Sequence, residues 1–207
     1  MKYVVVGTSH AGYAAIETLL ISDPEAEIEV FESAEAPSFL SCGIQSYLED
    51  VAPSLQSLHY ADAESLKEQG VNLHLQTTVT DLDTQNKTVP IKKDGNTSEV
   101  SYDKLFLSPG AVPNELPING INEYNNVLFM RGEEWAGKIK ERMQHAKKAI
   151  VVGGGYIGIE AAEAFTKAGI DTTLMDDHDR IINTYLDKEF TDILEKNIAE
   201  HGLKFKG

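Results

Sequence analysis

A short β-branched run, a glycine turn, a helix-patterned segment and a second strand follow one another at the start of this chain, and the same order returns later. KYVVV leads into Gly7, HAGYAAIETLL carries apolar residues at helical spacing, and EIEVFE closes at Glu32. In the second copy AIVV leads into Gly153, a periodic run follows, and IDTTLMD closes at Asp176. A helix-length crossover between two buried strands implies parallel pairing, because a hairpin turn is too short for it. Setting Gly7 against Gly153 offsets the copies by 146 residues. The pattern predicts an α/β fold with two Rossmann-like units, and repeated units imply two nucleotides or one duplicated domain.

The second turn is a full G-x-G-x-x-G, with Gly153, Gly155 and Gly158 in place. The first glycine makes a tight turn, the second lets backbone approach a pyrophosphate, and the third lets helix and strand pack closely. The diphosphate then meets free N–H groups at the positive end of the helix dipole. Asp176 lies 23 residues past Gly153 at the end of the next strand. A carboxylate there accepts hydrogen bonds from ribose hydroxyls and repels a 2′-phosphate, which favours NADH over NADPH. Asp177 and Asp179 add negative charge nearby, and Arg180 offsets some of it. The first turn, Gly7-Thr8-Ser9-His10-Ala11-Gly12, keeps the outer glycines, has Ser9 at the middle position, and finds its acidic partner in Glu32. Either loop taken alone could be a structural turn; the strand before and helix after each one argue for nucleotide binding.

Between the repeats, residues 38–48 read as a loop entering a short helix, and DAESLKEQG as a helix capped by Asp62 and ended by Gly70. VNLHLQTTVTDLDT, KTVPIK and EVSYDKLFLS alternate apolar and polar residues, predicting a small antiparallel insertion that feeds one buried strand, Leu105 to Ser108. The stretch from Pro109 to Asn126, rich in Pro, Gly and Asn, is the candidate linker. GEEWAGKIKERMQHA and LDKEFTDILEKNIAEHG are the helices that flank the second repeat.

With 33 acidic against 18 basic residues the formal charge is -15, which disfavours nucleic acid and anionic membrane surfaces as partners. No apolar run approaches the roughly 20 residues needed to cross a bilayer, and the expected location is the cytoplasm. The six histidines show no metal-ligand spacing, so no metal is expected. A single cysteine, Cys42, allows no internal disulfide.

GTSHAGYAA, SFLSCG, YDKLFLSPGAVP, MRGEEWA, GGGYIGIEAAEAF and YLDKEF together resemble the flavoprotein pyridine nucleotide-disulfide oxidoreductases, within them the NADH peroxidase and NADH oxidase branch. The resemblance implies an FAD-binding domain over residues 1–114 and an NADH-binding domain over 115–207, the latter incomplete at its C-terminus. It implies FAD contacts from Gly7, Ser9, His10, Ala11, Gly12, Glu32 and Cys42, with Pro109, Gly110, Ala111 and Arg131 near the flavin cleft. It implies NADH contacts from Gly153, Gly155, Tyr156, Ile157, Gly158, Asp176 and Tyr185. Relatives of this kind are about twice as long, are homo-oligomeric, and carry a C-terminal FAD part and a dimerisation domain expected to be absent here. Disulfide reductases of the superfamily have a second cysteine where this chain has Tyr47.

By the same resemblance Cys42 is the redox sulfur and His10 its functional neighbour. Cys42 precedes a short helix, a setting that favours thiolate, and a thiolate attacks the O–O bond of a peroxide to give a sulfenic acid. An imidazole such as that of His10 can protonate the departing hydroxide near neutrality. Three readings stay open: NADH-dependent reduction of hydrogen peroxide or dioxygen, reduction of a low-molecular-weight disulfide such as that of coenzyme A, and a nucleotide-binding module without turnover. Without the resemblance, Cys42 could equally be a small buried hydrophobe and His10 a structural residue.

Overall fold

The computed structural model describes residues 1–207. They fall into two compact units, Met1–Leu40 with Leu58–Val112, and Ser41–Ser57 with Pro113–Gly207. The boundary at Val112 lies inside the Pro109–Asn126 stretch, and residues 41–57 leave the first unit to join the second.

The first unit opens with β1 (Lys2–Val6), α1 (His10–Ser22) and β2 (Glu27–Phe31). After α2 (Ile44–Leu48), which belongs to the second unit, come α3 (Ala63–Glu68), β3 (Val71–His74), β4 (Thr78–Val79), β5 (Thr88–Lys93), β6 (Asn96–Ser101) and β7 (Lys104–Leu107). A parallel sheet runs in the order β3-β2-β1-β7. Val5, Ile28, Val30 and Leu73 pack on its helical face with Ile16 of α1 and Leu66 of α3. Val4 and Phe31 face the other way, against Val89 of a three-stranded sheet β4-β5-β6. Cover on both faces explains why KYVVV is apolar without alternation. α3 starts at Asp62, whose carboxylate accepts from Ser65 N–H at 2.7 Å, a cap contributing about 1 kcal/mol. The chain turns from β5 to β6 at Asp94 and Gly95, both at positive φ, as an Asp-Gly hairpin requires.

Two sequence expectations need correction. VNLH is not in the antiparallel group: it is β3, paired in parallel with β2 from Ile28↔Val71 to Phe31↔His74. Alternation reports a buried face and is silent on strand direction, so it cannot separate the two cases. The expected buried strand Leu105–Ser108 is instead β7, an edge strand with Phe106 and Leu107 about half exposed. An edge has a neighbour on one side only, and a strand-like apolar run does not encode that position.

The second unit contains α4 (Gly132–Met143), β8 (Lys148–Val152), α5 (Tyr156–Lys167), β9 (Asp171–Met175), α6 (Lys188–Glu200) and β10 (Lys204–Lys206). Its parallel sheet runs β10-β9-β8, and α5 and α6 pack on it through Ala161, Ala162, Leu194 and Ile198 around Val151, Leu174 and Phe205. The last helix therefore leads into a third strand that the sequence pattern did not suggest. On β8 only Val151 is buried, while Ile150 and Val152 are exposed. No helix is long and apolar enough to cross a membrane.

Candidate functional site

In the first unit the carboxyl ends of β1, β2 and β7 gather the loop residues, as parallel sheets do with their ligand sites. Gly7 sits at φ +87°, and a Cβ on it would run into the Ser108 carbonyl oxygen. A Cβ on Gly12 would overlap the Gly7 carbonyl, so the third glycine is what lets α1 approach the turn. Ser108 belongs to the same junction, donating its hydroxyl to Val6 O at 2.7 Å. Pro109, Gly110 and Ala111 continue from it and are exposed.

Ser9 is the N-cap of α1 and makes no side-chain cap bond. The first turn-closing bond is Tyr13 N–H to Ser9 O at 2.8 Å, so the preceding N–H groups have no partner inside the helix. Ser9, His10 and Ala11 are exposed at this positively polarised end. The His10 ring lies 5.2 Å from that of Tyr60. Glu32 does something the sequence did not announce. Its Oε2 accepts from the N–H and hydroxyl of buried Thr8 at 2.9 and 2.6 Å, and its Oε1 from Ala34 N–H at 2.9 Å. The acidic residue thus holds the glycine turn from the neighbouring strand.

The second unit repeats the device. Gly153 adopts φ +108°, and a Cβ on Gly158 would overlap the Gly153 carbonyl. Gly155 is the N-cap of α5 and has nothing within 4 Å of the place a Cβ would take. That open space over a helix N-terminus is the cradle a pyrophosphate needs. Asp176 Oδ2 accepts from Gly154 N–H, and Oδ1 accepts from His178 N–H at 2.9 Å. Burial would raise the Asp176 carboxyl, but the bonds from Gly154 and His178 outweigh it and hold the group below the ordinary aspartate value. The Tyr156 and Tyr185 rings meet at 4.8 Å with their planes tilted by 48°, and both are half exposed or more, as is Ile157.

Cys42 is exposed in a single 3-10 turn, Ser41–Gly43, that runs directly into α2. Side chains of the second unit fasten this segment. Lys167 pairs with Glu49 at 2.9 Å, Gln45 donates to Glu163 at 3.0 Å, and Lys140 reaches Asp50 and the Leu48 carbonyl, each at 2.7 Å. Burial would raise the Glu49 carboxyl, but Lys167 and Gln45 bring it below its usual range. Arg131 is the exposed N-cap of α4.

The structure brings Gly7, Ser9, His10, Ala11, Gly12, Glu32 and Pro109–Ala111 together in one unit, and Gly153, Gly155, Tyr156, Ile157, Gly158, Asp176 and Tyr185 in the other. Sequence reasoning missed Thr8, Ser108, Gly154 and the anchors of α2. Superposing the two repeats would have found the first and third, since Thr8 and Gly154 both follow the first glycine. No sequence signal marks Lys140 or Lys167.

The family model for pyridine nucleotide-disulphide oxidoreductases matches residues 1–207. The chain is 43% identical to an NADH oxidase of Enterococcus faecalis over 98% of its own length and 46% of that protein. It is 33% identical to an NAD(P)H coenzyme A polysulfide/persulfide reductase of Pyrococcus horikoshii, over 97% of this chain and 45% of the relative. Among solved structures, the water-forming NADH oxidase of Lactobacillus brevis bound to NADH is similar at a TM-score of 0.95 and 37% identity, covering 99% of this chain and 46% of that one. The chain therefore spans slightly under half the length of the relatives it matches.

Proposed function

Because the chain belongs to the pyridine nucleotide-disulphide oxidoreductase family, we propose that its first unit binds FAD, its second binds NADH, and that the protein reduces hydrogen peroxide or dioxygen with NADH through Cys42. The observation that carries this reading is the repeated clamp: Glu32 on Thr8 N–H and Asp176 on Gly154 N–H, each bracing a glycine turn that opens a helix.

FAD fits the first unit, where Gly7 and Gly12 leave no room for a Cβ and Ser9 to Ala11 present free donors to a diphosphate. A flavin held there would supply the two-electron redox chemistry that links NADH to the acceptor. Gly153, Gly155 and Gly158 would hold the NADH pyrophosphate on α5, Asp176 would accept from the ribose hydroxyls, and Tyr156, Ile157 and Tyr185, each half exposed or more, would contact the nucleotide. Pro109, Gly110 and Ala111, which follow β7 in the first unit, are candidate flavin contacts, and Arg131 of the second unit is named as one by the resemblance alone. The Cys42 thiolate attacks one peroxide oxygen; the S–O bond forms as the O–O bond breaks, and hydroxide leaves with a proton that His10 supplies. Two electrons from NADH then return the sulfenic acid to thiolate, for a balance of one peroxide, one NADH and one proton giving two waters and NAD⁺.

A second reading rests on the persulfide-reductase relatives: an exposed Cys42 can attack a low-molecular-weight disulfide and hold a mixed disulfide instead. NADH consumption by the FAD-loaded protein with peroxide, dioxygen and coenzyme A disulfide supplied in turn separates the two. Cys42→Ser is expected to keep FAD and NADH binding and lose peroxide turnover. Full turnover by that variant removes the sulfur from the mechanism.

A further inference from the structure

His178 stands just beyond β9, on the strand end that carries Asp176. Its Nδ1 lies 2.8 Å from Asp176 Oδ1 and 2.7 Å from Asp177 Oδ1, while the ring is 51% exposed and Nε2 makes no hydrogen bond. The two carboxylates keep a proton on Nδ1 in either charge state, so titration of the ring occurs at Nε2. When His178 is neutral, Nε2 presents a lone pair and the Asp176, Asp177 and His178 group carries a charge of about -2. When it is protonated, Nε2–H becomes a donor and the group carries about -1. That change sits where the carboxylate of a dinucleotide fold senses the 2′ position of the adenosine ribose.

We propose that His178 makes the nucleotide choice of the second unit proton-dependent: with a neutral ring the site discriminates most strongly against a dinucleotide bearing a 2′-phosphate, and with an imidazolium that discrimination weakens. This rests on the reading of the second unit as the nicotinamide nucleotide site.

The hydrogen bond to Asp176, then the charge of Asp177, raise the His178 ring above its ordinary value of 6.5. Its proton is therefore present at mildly acidic pH and lost as the pH rises through the raised value. Asp179 and Arg180 follow in the same loop, and the Arg180 guanidinium is directed to Thr191 on α6 at 3.0 Å. From β10, Lys206 meets Asp176 through its backbone carbonyl, 3.1 Å from the Asp176 N–H, and Gly207 packs its backbone on that of His178. From the glycine loop only the uncharged Gly154 N–H approaches.

The test is direct titration of NADH and NADPH binding to the full chain at about pH 6 and about pH 8.5, for wild type, His178→Gln and His178→Arg. The 2′-phosphate itself ionises near pH 6, so the informative quantity is the difference between proteins measured with the same ligands. On acidification the wild-type preference for NADH over NADPH should narrow about five-fold more than that of H178Q. H178R should narrow on acidification no more than H178Q does, and at the higher value should tolerate NADPH about five-fold better than wild type. NADH binding with wild type and H178Q narrowing in parallel overturns the inference alone, as does H178R discriminating like wild type at pH 8.5. Absence of binding by either nucleotide overturns the NADH-site reading as well.

Discussion

Glu49, which closes α2 just after Cys42, is ion-paired at 2.9 Å with Lys167, the last residue of α5, and the first turn of α5 is formed by the second glycine loop. One end of this helix therefore meets the candidate nucleotide, and the other fastens the segment that carries the candidate redox sulfur. Lys140 of α4 adds a second fastening through Asp50 and the Leu48 carbonyl.

Removing that pair should loosen α2 without unfolding the unit. With Lys167 half exposed the pair is open to solvent on one side and adds little to global stability, so the effect should appear as local opening. Amide hydrogen exchange over residues 45–51 is expected to accelerate about three-fold in Lys167→Ala and in Glu49→Gln alike. The double variant should add little beyond Lys167→Ala, which deletes the Glu49 pair and also the Lys167–Glu163 pair at 2.8 Å.

Acid should act through the same carboxylate. The folded-state value of Glu49 lies below its ordinary 4.5, so its contribution is fully present above that value and is lost as pH falls through the depressed one. Urea midpoints measured across this acid range should fall more steeply for wild type than for Glu49→Gln. Parallel curves would show that the carboxylate charge has no part in holding α2.

The three loop glycines of the second unit should separate by phenotype. Gly158→Ala forces a Cβ into the Gly153 carbonyl and should cost about 1–3 kcal/mol in urea unfolding. Gly155→Ala meets only open space and should stay within about 0.5 kcal/mol of wild type. Its methyl would occupy the cradle over α5, and NADH affinity should drop by about ten-fold or more. Equal NADH affinity for Gly155→Ala and wild type would move the pyrophosphate elsewhere.

Glu32→Ala should behave as a folding variant as well as a binding one. It strips the buried Thr8 N–H and hydroxyl of their acceptor, which costs about 1–3 kcal/mol when a buried polar group is left unpaired. Denaturation without ligand reads this cost separately from FAD binding. Glu32→Gln keeps an acceptor oxygen and should recover most of the stability.

Much of this was written in local residue order. Strand, glycine turn and helix are set by nearest neighbours: β-branched runs, a glycine where φ must be positive, an apolar period of a helix, and caps such as Asp62 and Gly70. Both glycine loops and their acidic partners were legible for that reason, because the βαβ crossover fixes how far downstream the partner strand ends.

What residue order left open was every relation settled by packing between distant segments. VNLH could have joined either sheet, since alternation is the same for both, and its place beside β2 was decided by which core received Val71 and Leu73. The run from Leu105 reads as a buried strand, and only the order of strands made it an edge. Residues 41–57 interrupt the first unit in sequence but pack with the second, because the partners of Gln45, Glu49 and Asp50 are supplied by α4 and α5. His178 carries no motif, and its meaning comes from two carboxylates meeting one ring nitrogen. Backbone preferences act over a few residues and can be read along the chain; burial and charge pairing act through space, and only the folded arrangement assigns their partners.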